Sequence, residues 1–573
     1  MNQVQARPSF RGRLLFTLFM VGCAMSALVA RGVDLQVLNK EFLQEEGTAR
    51  YLREISIAAH RGSILDRHGQ PLAVSTPVDS VWVEPRQFLT ARSRWSELAR
   101  VLGIPEQRLQ EALQGREKRE FVYIVRRIAP ALAARVMALQ IPGVSLQREY
   151  RRYYPAGEVT GHLLGFTNVD DVGLEGLELA YDNWLRGTPG SKRVIKDRLG
   201  HVVEDVERIE QPRPGRDLQL TIDRRLQYLA YRELLAAVKR HRAKGGSLVL
   251  LDARSAEVLA MVNQPAFNPN NRERLRGERY RNRAITDMFE PGSTMKPFTI
   301  ATALQSGRYR PGTLIDTAPG YYKVGGHTVR DSRNYGRIDL STIIQKSSNV
   351  GASKIALTLA PERIWQTFHR VGFGELAGDG FPGESSGVFS DYHTWSELER
   401  ATLAFGYGVA VTPLQLARAY TVLAGDGRLR TVSVVKGQGE QPDVGPKVFS
   451  GRVLRQVRSM MERVVSGEGT GAKAAVPGYH VAGKTGTVRK PVAGGYSEDR
   501  YVALFAGMAP ASDPRLVMVV VVDEPSGEEF YGGDVAAPVF ARVMAGALRL
   551  LAIPPDALPG QGQQLAALAG QER

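Results

Sequence analysis

Near the N-terminus, from Leu14 to Ala30, the chain carries no charge, and Arg7, Arg11 and Arg13 precede this stretch. At roughly 17 residues the run is at the short end of what spans a bilayer as a helix. Basic residues before it place the N-terminus in the cytoplasm and everything after Ala30 outside. A cleaved signal peptide is the rival reading, since Ala24-Met25-Ser26 offers small residues in an A-x-A manner. A lipoprotein reading of Val21-Gly22-Cys23 is weaker. The apolar run continues past that site to Ala30 without a polar, helix-breaking region, which favours an uncleaved anchor over residues 1–30. All three readings export the body of the protein.

Residues 31–56 are mixed and charged and suit a juxtamembrane helix or linker. From Ile57 to Ala73, short apolar runs flank the polar turn Asp66-Arg67-His68-Gly69, a strand and hairpin signal. Helical spacing follows at Trp95 to Leu102 and Pro130 to Leu139, then a strand-rich part that includes Gly161 to Phe166 and Lys192 to Lys196. Residues 57–206 read as one α+β module without a catalytic constellation. After the punctuation Gln211-Pro212-Arg213-Pro214-Gly215, a helix is expected over Arg224 to Arg242. Ser247 to Asp252 and Glu257 to Val262 form a hairpin around Arg254-Ser255. More strands are expected at Tyr501 to Met508 and Leu516 to Val522, with a closing helix near Val535 to Leu551. The fold class is α+β, with the sheet of a domain at 215–555 assembled from both of its ends. The tail, 556–573, is rich in Gly, Gln and Ala from Pro559 and is expected to be disordered.

A chain of 573 residues exceeds the size of one growing core, so two or three domains are the default. With 43% hydrophobic and 23% charged residues it is ordinary globular material. The net charge of +16 favours anionic partners, whether nucleic acid, acidic lipid headgroups or a pyrophosphate-bearing substrate. The single cysteine, Cys23, excludes an intramolecular disulfide, and no Cys/His cluster has metal-ligand spacing.

Three short elements carry chemistry: Ser293-Thr294-Met295-Lys296, Ser347-Ser348-Asn349 and Lys484-Thr485-Gly486. Residues three apart on a helix share a face, so the Lys296 amine can reach the Ser293 hydroxyl. A serine is a poor nucleophile until a neighbour takes its proton, and a desolvated lysine near another cation, such as Lys484, is neutral enough to do so. Glu290-Pro291-Gly292 marks a helix start whose backbone NH groups and positive dipole end face charge developing beside Ser293. Pro297 fits only if that helix begins close to Ser293. Ser433-Val434-Val435-Lys436 also has the serine-lysine spacing, but in an alternating strand pattern that sends the two side chains to opposite faces. Ser332-Arg333-Asn334 matches Ser-x-Asn but lies in a turn-like stretch, whereas Ser347 follows Ile343-Ile344 and leads into a helical run from Val350 to Leu357. Lys484 follows strand-like Tyr479 to Ala482, where a strand edge offers backbone groups to an extended peptide and Gly486 leaves room for its approach. Thr485 and Thr487, with Lys484, suit a substrate carboxylate.

In this order and spacing the three elements resemble the class B penicillin-binding proteins, most closely their division-specific FtsI type. Longer stretches carry the same resemblance: Phe289 to Pro297, Gln345 to Gly351, and Phe405 to Ala417. Ser348 stands where the related β-lactamase motif has an acid, which favours class B. The resemblance implies a single-pass inner-membrane anchor, an elongated pedestal of the dimerisation type, and a periplasmic transpeptidase domain with an antiparallel sheet flanked by helices. It implies that Ser293 attacks the penultimate D-Ala carbonyl of a stem peptide and that Lys296 takes its proton. Ser347 and Asn349 relay protons and hold the substrate amide, while Lys484, Thr485 and Thr487 bind the terminal carboxylate. NH groups of Ser293 and Thr487 form the oxyanion hole, and Tyr407, Arg489, Tyr501, Phe530 and Tyr531 line the cleft. No metal or organic cofactor is implied. Implied partners are peptidoglycan stem peptides and their lipid-linked precursor, β-lactams, a polytopic SEDS glycosyltransferase and other proteins of the division septum. The basic run Arg272 to Arg283 reads as a solvated charged face.

Two other readings share these residues. A serine β-lactamase or DD-carboxypeptidase has the same nucleophile, but no Glu-x-x-Leu-Asn element of the class A deacylating kind is present. A catalytically silent scaffold would be marked by loss of Ser293 or Lys484, and both are present. A nucleic-acid binder is disfavoured because the chain is exported and has no recognised nucleic-acid module.

Overall fold

The computed structural model describes residues 10–38, 52–196, 202–272, 277–378, 381–437 and 444–557. The expected tail from Pro559, the middle of the 31–56 linker and four residues of the basic run lie outside these ranges. Phe10–Leu38 is a single helix of 29 residues, long and apolar enough to cross a membrane. Its α-helical part, Phe10–Val33, extends past both ends of the uncharged run. It measures about 36 Å at 1.5 Å per residue, more than the hydrocarbon core requires. This is consistent with a single-pass anchor.

The described chain forms two compact units, each discontinuous in sequence. One comprises Met1–His60, Pro77–Arg151 and Gly187–Pro214, the other Arg61–Thr76, Arg152–Arg186 and Gly215–Arg573. In the first, helices Trp95–Leu102 and Pro130–Ala138 form where the 3.6-residue spacing places them. Trp95, Leu98, Ala133 and Val136 are buried with Phe88, whose ring stacks on Trp95 at 4.9 Å. Gly103, at φ 68°, ends the first helix as only glycine does cheaply. A separate three-stranded antiparallel sheet joins Leu52–Ile57, Gly190–Lys196 and Val202–Glu210.

The second unit is built on helix α1 (Arg224–Arg240), hairpin β1 (Gly245–Asp252) and β2 (Val258–Gln264), and helices α2 (Lys296–Gln305), α3 (Leu340–Lys346), α4 (Asn349–Thr358), α5 (Pro413–Ala424) and α6 (Gly451–Val465). Strands β3 (Ala482–Val492), β4 (Gly495–Ala509) and β5 (Leu516–Asp523) and helices α7 (Gly532–Val535) and α8 (Ala537–Leu550) complete it. The sheet order is β2-β1-β5-β4-β3, antiparallel throughout. Strand alternation divides its side chains between two cores. Leu248, Leu250, Met518 and Val520 join Leu226, Leu234, Phe540 and Val543 of α1 and α8. Val249, Leu251, Val517 and Val519 join Phe298, Leu416 and Met460 on the other face. Both faces of the central strands are therefore apolar, which explains their unbroken Val/Leu runs.

Two local expectations change. Helix α1 ends at Arg240 rather than Arg242, because Arg242 adopts φ 47° and turns the chain into β1. Gly161–Leu164 is a helical turn, not a strand. Gly165 follows it at φ 71°, where a Cβ would lie 1.8 Å from the Glu175 carbonyl oxygen. That close backbone crossing reverses the chain and leaves only Phe166–Thr167 extended.

Beside this turn lies a buried charge cluster. Glu178, 0% exposed, accepts from Arg61 Nε at 2.8 Å and from Arg152 Nε at 2.6 Å. Arg61 also bonds Asp182 at 2.7 Å, and Arg152 donates to the Gly62 carbonyl at 2.8 Å. Removing the shared carboxylate leaves two buried guanidiniums undercompensated, so Glu178→Ala is expected to cost about 3–5 kcal/mol of stability. Urea unfolding would check this; a loss near zero would mean that water or Asp182 replaces the carboxylate.

Candidate active site

Ser293 lies in a 3-10 turn, Gly292–Met295, that runs directly into α2, with Pro297 in the first α-helical turn where its missing NH costs nothing. Three contacts pin the turn. Tyr420 donates to the Thr294 carbonyl at 2.9 Å, Gly292 NH donates to the Gly406 carbonyl at 3.1 Å, and Phe289 bridges Val411. Gly292 has φ 53°, and a Cβ there would meet Val488 at 2.4 Å. Its absence lets strand β3 close on the serine turn.

Lys296 is fully buried. Its Nζ lies 2.8 Å from Ser293 Oγ, 2.7 Å from the Ser347 carbonyl, 3.0 Å from Ser347 Oγ and 2.7 Å from Asn349 Oδ1. Ser347 Oγ is 3.0 Å from Ser293 Oγ. Two of these partners, the carbonyl and the amide oxygen, can only accept. A neutral amine has two protons, which these oxygens take, and its lone pair then faces the two hydroxyls. Asn349 Nδ2 donates to the Arg330 carbonyl at 3.2 Å, which fixes Oδ1 as the atom facing Lys296. Electrostatics agree: burial and then the charge of Lys484 push the Lys296 amine well below the usual lysine range, opposed by Asp331.

Ser347 reaches this position through a left-handed backbone, φ 60°, between α3 and α4. Such a conformation is unfavourable for serine and turns both its carbonyl and its hydroxyl onto Lys296. Asp331 holds the next residues. It accepts from Ser348 Oγ at 2.6 Å, from Asn349 NH at 2.5 Å and from Val350 NH at 3.0 Å, while Ser348 Oγ accepts from Gly351 NH. These bonds satisfy the orphan donors at the start of α4. Sequence reasoning missed Asp331, because nothing local marks a carboxylate as the cap of a helix that starts so far along the chain.

Lys484, Thr485, Gly486 and Thr487 lie in β3, which among the described residues pairs with β4 alone and so forms the sheet edge. Lys484 is fully buried, and burial lowers its amine to about 7. It donates to the Thr485 carbonyl at 3.1 Å. Thr485 Oγ1 is 2.7 Å from Thr470 Oγ1, and Thr487 Oγ1 accepts from Gly532 NH at 2.9 Å. A Cβ on Gly486 would lie 2.7 Å from Leu504 Cγ and Cδ2. The sheet itself thus favours glycine at this position.

The five expected cleft residues form a connected series. Tyr407 packs on Tyr496 at 5.5 Å and lies within electrostatic reach of Arg489. Arg489 pairs across the strands with Tyr501, Tyr501 stacks on Phe530 at 4.5 Å, and Phe530 meets Tyr531 at 4.4 Å. Glu290, read from sequence only as part of a helix start, accepts from Gly408 NH at 2.8 Å and Tyr496 OH at 3.0 Å, tying the β3–β4 hairpin to the serine turn. The decoy motifs are not assembled with the site. Ser433 Oγ donates to the Val435 carbonyl while Lys436 Nζ reaches the Arg67 carbonyl. Ser332 bonds Tyr335.

Residues 246–545 match the penicillin binding protein transpeptidase domain family, and residues 56–220 the penicillin-binding protein dimerisation domain family. The chain is 44% identical over 545 residues to the peptidoglycan D,D-transpeptidase FtsI of Escherichia coli K12, covering 94% of this chain and 92% of that protein. The apo transpeptidase domain of Burkholderia pseudomallei penicillin-binding protein 3 aligns with TM-score 0.55 at 44% identity, over 59% of this chain and 98% of that one. Penicillin-binding protein 3 of Mycobacterium tuberculosis, solved with aztreonam, aligns with TM-score 0.69 at 27% identity, over 87% and 98%. Both domain matches and full-length identity thus agree with the serine-lysine centre: the chain belongs to the class B penicillin-binding proteins of the FtsI kind, the peptidoglycan D,D-transpeptidases.

Proposed function

We propose that this transpeptidase cross-links stem peptides at the division septum through an ester on Ser293. Ser293 Oγ bonds to the penultimate D-Ala carbonyl carbon as its proton passes to the Lys296 lone pair. The proton then goes to the leaving D-Ala amine as the amide C–N bond breaks. NH groups of Ser293 and Thr487 hold the oxyanion, Lys484, Thr485 and Thr487 hold the terminal carboxylate, and Ser347 and Asn349 relay protons and orient the amide. An amine of a neighbouring stem peptide then displaces Ser293. Tyr407, Arg489, Tyr501, Phe530 and Tyr531 line the cleft. The observation that carries this reading is the Lys296 amine, whose only acceptor position faces Ser293 Oγ at 2.8 Å.

In this reading the N-terminal helix anchors the chain in the inner membrane with residues after it in the periplasm. Residues 57–206 serve as a non-catalytic pedestal, 215–555 as the transpeptidase domain. A SEDS glycosyltransferase supplies nascent glycan made from lipid-linked precursor. Depleting the protein is expected to block septation and give filaments by phase-contrast microscopy. Round cells would assign it to elongation instead, and unchanged cells would assign the septal role to another enzyme.

A further inference from the structure

We propose that Thr470 is a positioning residue of the carboxylate subsite: its hydroxyl donates to Thr485 and thereby commits the Thr485 proton to the substrate carboxylate. The proposal rests on the reading above that Thr485 and Thr487 bind that carboxylate.

A carboxylate only accepts hydrogen bonds, so each hydroxyl that binds it must spend its single proton outward and accept elsewhere. For Thr487 the second partner is fixed, because Gly532 N–H can only donate and lies 2.9 Å away. Among the described residues no backbone donor reaches the Thr485 hydroxyl. Its partners are Thr470 Oγ1 at 2.7 Å and, more distantly, Lys484 Nζ at 3.4 Å. A Thr485 proton directed at Thr470 would present lone pairs to the carboxylate. Once the carboxylate takes the Thr485 proton, the short contact survives only with Thr470 as donor. The two threonines then form an oriented chain that ends on the substrate.

Thr470 is held firmly enough for this. It follows α6 in a turn closed by Gly469 NH to the Ser466 carbonyl and Gly471 NH to the Val464 carbonyl, each at 2.9 Å. A Cβ on Gly533 would lie 2.2 Å from the Thr470 carbonyl oxygen, so α7 rests directly on this turn. Lys473 pairs with Asp534 of α7 at 2.7 Å. The turn that orients Thr485 and the helix that orients Thr487 are thus joined to each other. Thr470 itself is exposed, so its side chain can change without opening a core.

Such a chain selects for charge. A neutral carboxamide both donates and accepts, and binds equally well with the Thr485 proton in either direction. The test uses the detergent-solubilised full chain and a thiolester mimic of the D-Ala-D-Ala end, as free acid and as carboxamide, with active sites counted by covalent penicillin. Thr470→Val is expected to raise KM for the acid about 3- to 10-fold with kcat within about twofold and the carboxamide unaffected, the range for one lost hydrogen bond. Thr470→Ser should restore the parent KM. If Thr485→Val leaves the preference for acid over carboxamide undiminished, the reading that places Thr485 on the carboxylate itself fails. If Thr485→Val loses it while Thr470→Val keeps it, or if Thr470→Ser behaves as Thr470→Val, the role given to Thr470 is overturned and the carboxylate reading stands.

Discussion

Brief exposure to a β-lactam is expected to add one drug mass to the intact protein, mapped by peptide mass spectrometry to Ser293. The strained amide and carboxylate of the drug present the groups that a D-Ala-D-Ala end presents, so the same lysine accepts the same proton. The leaving nitrogen stays tethered after ring opening and keeps the acceptor amine out, so the ester persists. Ser293→Ala should abolish the adduct. Lys296→Met should slow its formation by about 10²- to 10⁴-fold, the usual contribution of a positioned general base. Ser433→Ala should change nothing, since its hydroxyl donates to the Val435 carbonyl and the Lys436 amine turns instead to the Arg67 carbonyl. Rapid recovery of free enzyme would show a hydrolase in place of a transferase, and a folded protein that never acylates would show a scaffold.

Acylation is also expected to follow a bell-shaped pH profile whose two arms respond differently when Lys484 is changed, one shifting and the other disappearing. Lys296 must be neutral to accept a proton, so the rate falls as pH drops through its lowered range. Lys484 must be charged to attract a carboxylate, and its amine titrates at about 7, so in the free enzyme that attraction is present below this pH and lost above it. The charge on Lys484 is also one of the causes that lower Lys296. Lys484→Gln removes both effects. It should erase the alkaline arm, shift the acid arm to higher pH, and reduce acylation at neutral pH by roughly 10- to 100-fold, as expected for one charge-assisted hydrogen bond. Stopped-flow measurement of kcat/KM-type acylation constants across pH would read all three. An acid arm that stays in place in Lys484→Gln would mean that burial alone sets the charge of Lys296.

These expectations rest partly on features that sequence shows and partly on ones it hides. The N-terminal apolar helix was legible because length and hydropathy are local properties of composition, and the helix runs through the whole uncharged stretch. Four strands of the sheet were legible because short unbroken apolar runs are local too: those expected at Ser247, Glu257 and Leu516 form within two residues of their expected ends, while the one expected at Tyr501 starts six residues earlier, at Gly495. The Ser293 and Lys296 pair was legible for a similar reason, since three residues of helix bring them together wherever that helix sits. The short apolar stretch at Gly161 was misread because its backbone is set by contact with Glu175, not by its own pattern.

What the sequence by itself determined is therefore the identity and order of the candidate reacting groups, and most of the elements that carry them. Only the tertiary structure decided their state. The Lys296 amine is pushed well below the usual lysine range because folding removes it from water and brings Lys484 near; the oxygens that orient it arrive from Ser347 and Asn349, more than fifty residues along the chain. Asp331 becomes a helix cap, and Thr470 the partner of Thr485, only when separate segments meet. Desolvation and hydrogen bonding depend on which atoms surround a group in space. Periodicity and motif spacing describe only neighbours along the chain, so they show which side chains could react but not which protons they hold.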